Sequence, residues 1–163
     1  MTGIAITLRA LHDGERRMEH DLLAAAERHR ADHEIRHVAT DVARWSHEHV
    51  ERLAHAASHY GLDLAQHVDH PSLGRWTTLR EKTAEALGRR PETGLVLLHD
   101  LRDLHLTATE NSLNWEMLAQ TAKATRDSRL LDLATACHPQ TLRQMRWTNT
   151  MIKTLAPQLL TCM

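Results

Sequence analysis

The chain has no phenylalanine and one tyrosine, and its aromatic content is 3%. Its few bulky rings are mostly four tryptophans. Glycine (6) and proline (4) are also scarce, and most of them cluster as Gly61, Pro71, Gly74, Gly88, Pro91 and Gly94. The stretches on either side are nearly free of helix breakers, which argues against a turn-rich β architecture and for long helices. Two cysteines, Cys137 and Cys162, make neither a zinc motif nor a disulfide framework. No apolar run approaches the roughly 20 residues of a membrane span. No leader pattern opens the chain, so the expected location is cytoplasmic. The formal net charge of -1, with no basic block, gives no footprint for nucleic acid or an anionic membrane. There is no Gly-rich phosphate loop, no nucleophile elbow, no CxxC and no HExxH.

What is abundant is histidine, with 14 residues in 163. The Ala, Arg and His bias also fits a GC-rich coding sequence. Near an unperturbed pKa of about 6.5, these side chains would swing the net charge positive on mild acidification.

Hydrophobic periodicity predicts four long helices. The first, about residues 4–31, puts Leu8, Leu11, Glu15, Met18, Leu22, Ala25, Ala26 and His29 on one face. Asp32 is the expected N-cap of the second, which runs to about Tyr60 and stops at Gly61. Its inner face reads Ile35, Val38, Val42, Trp45, His49, Leu53, Ala56 and Tyr60. A long connection follows, with its own short helix expected over residues 72–87. The third helix is expected from Glu92 or Thr93 to Thr125, with a main stripe of Leu97, Leu98, Leu101, Leu104, His105, Ala108, Ser112, Trp115 and Ala119. A second stripe, Leu95, Leu106, Leu113 and Met117, lies nearly opposite. It would meet the connection or a second subunit, so a homo-oligomer, dimer or larger, is expected. The fourth helix, capped by Asp127 or Ser128, is expected to turn Leu130, Leu131, Ala134, Cys137, Leu142, Met145, Ile152 and Leu155 inward, to kink or break at Pro139 and to end at Pro157. One domain over residues 1–163 results: all-α, hairpin, crossover, hairpin.

Bundles of this layout are able to hold two metal ions with a Glu from each of two helices and a Glu-x-x-His from each of the others. Glu15 sits inward between Leu11 and Met18. His49 lies about as far after the first turn as Glu15 lies before it, which places the two at one level. His105 also faces inward. These three would hold a single Fe, Mn or Zn ion, or would simply hydrogen-bond one another in a filled core. The spacings of His29, His33 and His37, and of His55 and His59, suit i,i+4 pairs along a helix.

The stretches LRALHDGERRMEHDLLAAAERH, HEHVERLAHAASHYG and LRDLHLTATENSLNW resemble the helices of the YciE/YciF-type branch of the ferritin-like proteins. The resemblance implies a ferritin-like bundle, a link to stress response and di-iron binding. The ligand Glu expected before His49 is replaced in the Trp45–Ser46 neighbourhood. Of the third-helix ligand motif only His105 remains, and QTLRQMRWTNT stands where the fourth-helix Glu cluster would be. The expectation is therefore a non-catalytic bundle with a binding or structural, stress-related role and no bound cofactor. The alternative is a metal-binding oxidoreductase or storage protein using Glu15, His49 and His105. A third reading has Trp45, Trp115 and Trp147 line a cavity for a small molecule of unknown identity.

Overall fold

Side-chain caps set three of the helix starts. Thr2 Oγ1 accepts from the Ala5 N–H at 3.3 Å, Asp32 from that of Ile35 at 3.1 Å, and Asp127 from those of Arg129 and Leu130 at 3.1 and 3.2 Å. Each satisfies first-turn donors that have no partner within the helix. The computed structural model describes residues 2–65 and 93–161. They form α1 (Gly3–Arg28), α2 (His33–Ser58), α3 (Thr93–Thr125) and α4 (Ser128–Thr161), with no strand among the described residues. The short helix expected over residues 72–87 lies outside them. No described helix is long and apolar enough to cross a membrane.

Neighbouring helices run antiparallel. α1 packs on α2 and α3 on α4, while α1–α3 and α2–α4 contacts close the square. Arg17 meets Glu110 and Arg28 meets Asp100, so α3 runs against α1. His49 meets Gln140 and Ser46 meets Gln144, so α4 runs against α2. It follows that α2 ends and α3 begins at opposite ends of the bundle.

α2 and α3 stop in the same way. Leu62 N–H reaches back to Ala57 O with Gly61 at φ 69°, and Asp127 N–H reaches back to Ala122 O with Arg126 at φ 55°. Both are Schellman closures, which need a left-handed residue after the helix.

α4 does not break at Pro139 or end at Pro157, for it continues through both to Thr161. Pro139 removes one intrahelical bond. Cys137 and Thr141, on either side of it, are both fully buried, and this packing holds the helix together across the gap. The inner face of α4 differs too. Leu142 is exposed, and the buried positions are Leu130, Ala134, Cys137, Thr141, Gln144, Thr148 and Met151. Their alternating steps of four and three are the helical repeat itself.

The apolar core has two main bodies. One joins Leu8, Leu11, Leu53, Leu64, Trp115, Leu118, Leu130 and Cys137 near the α3–α4 turn. The other joins Met18, Leu22, Ala39, Val42, Leu104 and Ala108 toward the α1–α2 turn. On each helix the residues between these bodies are polar and buried: Glu15, Ser46 and His49, Asn111, Thr141 and Gln144.

Candidate functional site

This polar waist is the site. Glu15 and His49 have essentially no exposed side-chain surface, and His49 Nδ1 stands 3.1 Å from Glu15 Oε1. The contact is a buried ion pair. Trp115 Nε1 donates to the same oxygen at 2.9 Å, and Thr141 Oγ1 donates to it at 3.4 Å. On its other side His49 Nε2 donates to Gln140 Oε1 at 2.7 Å, while the ring meets Trp115 edge to face at 5.7 Å. One turn further along, Gln144 Nε2 donates to Val42 O and to Ser46 Oγ. All four helices contribute.

Burial alone pushes the His49 pKa down, because an imidazolium loses its water. The Cys137 side chain and the Glu15 carboxylate outweigh that and raise it from 6.5 to about 10. His49 is therefore protonated at neutral pH and balances Glu15, which is how a bundle interior tolerates a charge.

Asn111 fits against α1 where there is no side chain to meet it. A Cβ built on Gly14 would lie 2.0 Å from Asn111 Oδ1. The glycine permits this close approach. Neither polar atom of the Asn111 amide has a hydrogen-bond partner, and nor do Glu15 Oε2 and Gln144 Oε1.

The structure brings together two of the three residues singled out in the sequence. Glu15 and His49 meet at one level. His105 is half-buried and bonds Thr148 Oγ1 at 2.9 Å. It lies ten residues before Trp115, about 15 Å of helix. Among the described residues no three His, Cys, Asp or Glu side chains are grouped to hold a metal ion. The other described histidines singled out by their spacing do not join the waist. His29 is buried on Asp100 at 2.7 Å, while His33 with His37 and His55 with His59 form exposed ring pairs. The three tryptophans do not gather round one space: Trp115 belongs to the first core body, and Trp45 and Trp147 pack on the second. A surface groove of about 660 Å³ lies elsewhere, between the start of α1 and the end of α3, lined by Ile4, Thr7, Met117 and Leu118 among others.

Sequence reading missed Asn111, Gln140, Thr141 and Gln144. Positions 141, 144 and 148 continue the four-three spacing of Leu130, Ala134 and Cys137, and that signal was present in the chain.

The chain matches no protein-family model, no curated protein and no solved structure.

Proposed function

We propose that the protein is a non-catalytic helical bundle of ferritin-like layout, with a binding or structural role. The observation carrying this reading is the internal pairing of Glu15, the fully buried carboxylate among the described residues. Its Oε1 takes Trp115, Thr141 and the His49 charge. The residues do not fit the di-iron set of such bundles: that set needs four carboxylates, and α4 contains no Glu. A histidine ligand must also give up its second proton to bind a metal, and the raised pKa of His49 opposes this.

One observation favours a second reading. Glu15 Oε2 is buried with no donor, which leaves an oxygen beside His49 for a single Fe, Mn or Zn ion. Elemental analysis of protein purified without a metal-affinity step, followed by titration with each ion, separates the two. The first reading expects no stoichiometric metal and no change in Trp115 fluorescence on titration. One ion per chain, lost in Glu15→Gln, would overturn it.

A further inference from the structure

We infer that the outward face of α3 is a self-complementary docking surface for a second copy of this chain, paired antiparallel about a twofold axis between positions 109 and 110. Leu106, Leu113 and Met117 are 53%, 62% and 54% exposed. Leu106 precedes the buried Trp115 by nine residues, which at about 100° per residue places it on the opposite side of the helix. The other large exposed apolar side chains, Ile6, Leu23, Leu142 and Leu160, stand on α1 and α4. Single exposed residues of that kind are ordinary on a surface, whereas three large ones on one face of one helix are not.

The spacing of α3 points to the occupant. A twofold interface requires each residue to meet a residue of the same patch. About an axis at 109–110, Leu106 of one copy faces Leu113 of the other, and the reverse contact follows by symmetry. Arg102 then stands over Met117 of the second copy. Its aliphatic stem covers the thioether, and its guanidinium lies beside Glu116 of the second copy on the same flank. Both charges are largely exposed, Arg102 at 64% and Glu116 at 54%, and their contacts within the chain, to Asp103 at 3.7 Å and to His138 at 3.9 Å, are long ones at the surface. Glu110, nearest the axis, is already neutralised by Arg17 at 2.8 Å. Parallel pairing would instead set Arg102 against Arg102 and Glu116 against Glu116, so charge selects the antiparallel arrangement. The outward positions 99, 102, 106, 110, 113, 117 and 120 are spaced by three or four residues, as on the face by which long helices pack along their length. At 33 residues α3 is about 50 Å long, a length over which flanking residues extend the contact beyond the three apolar side chains toward the roughly 800 Å² per partner of a stable interface.

Sedimentation equilibrium of the full chain across a micromolar concentration range tests the pairing. Wild type should be a dimer. Arg102→Glu and Glu116→Arg should each raise the dissociation constant by about tenfold or more, and the double variant should restore it to within about threefold of wild type. Leu113→Asp should give a monomer of unchanged helicity by circular dichroism, and Leu142→Asp should remain a dimer. A monomeric wild type overturns the inference, as it would if residues 66–92 of the same chain covered the stripe. Single charge reversals without effect, or a double variant without rescue, overturn it as well. None of these outcomes depends on whether the waist binds metal.

Discussion

The core body around Leu8, Leu11 and Leu130 and the waist around Glu15 and His49 are equally dry, yet they are held by different physics. In the first, each side chain contributes by area removed from water, and neighbours substitute for one another at modest cost. In the second, each group is tolerable only because its partner is present. Losing one member leaves a charge or donor stranded in a medium that cannot solvate it. The apolar body should therefore respond to substitution in proportion to volume, and the waist in proportion to what is left unpaired.

The largest expected effect tests this contrast directly. Glu15→Ala strands the His49 cation and should cost about 3–5 kcal/mol in urea unfolding. Leu11→Ala, fully buried in the apolar body, should cost a similar amount, about 3–5 kcal/mol, by leaving a cavity. The second substitutions tell them apart. Glu15→Leu with His49→Leu removes both charges and should recover most of the loss or exceed wild type, whereas a second Leu→Ala change beside Leu11 should add to it. A double Leu variant as unstable as Glu15→Ala would mean that the waist is not an electrostatic unit. The waist also carries a pH signature. The folded state holds the His49 proton more tightly than the unfolded chain, with a pKa of about 10 against 6.5. The stability that Cys137 and Glu15 together give to the His49 cation is thus complete below pH 6.5 and is lost as pH rises toward 10. Thermal melts should show wild type losing stability over that window relative to His49→Gln.

Part of this waist was legible in the sequence and part was not, for physical reasons. Glu15 and His49 flank a short turn fixed by the Asp32 cap, so their equal distances from it set their common level. His105 follows a long connection, and no local rule fixes how far α3 slides along its neighbours. Its depth is set by tertiary contacts such as Arg28 with Asp100 and Gly14 with Asn111. The inner face of α4 was read only in part because apolar character was weighed above period, which placed the exposed Leu142 inward and passed over Thr141 and Gln144, while Met145 does pack on the second core body. The ends of α2 were legible because caps are local chemistry. The continuation of α4 through Pro139 was not, since packing on both sides overrides a local penalty.

A smaller effect is expected where the waist touches α1. Gly14→Ala places a methyl group against Asn111 Oδ1 at 2.0 Å, so the amide must move within a closed interior, at about 1–3 kcal/mol. Combining it with Asn111→Ala should relieve most of that cost. If Gly14→Ala is as stable as wild type, the α1–α3 approach at this level is loose and the waist is less rigid than its hydrogen bonds suggest.

The smallest effect concerns the two Schellman ends, which share a backbone geometry and differ in the residue that adopts it. Gly61 at φ 69° bears no side chain, whereas Arg126 at φ 55° forces a Cβ into the left-handed region. That conformation costs an L-residue roughly 1–2 kcal/mol, part of which glycine would return as added freedom in the unfolded chain. Arg126→Gly should therefore stabilise by about 0.5–1 kcal/mol, and Gly61→Ala should destabilise by about 1 kcal/mol. The contrast is clean because Arg126 is exposed and a Cβ added at Gly61 would have nothing within 4 Å, so backbone strain is the main term that changes at either end. Thermal melts of the two variants should move in opposite directions. A shift of the same sign in both would show that Arg126 contributes through its side chain and not only through the turn it permits.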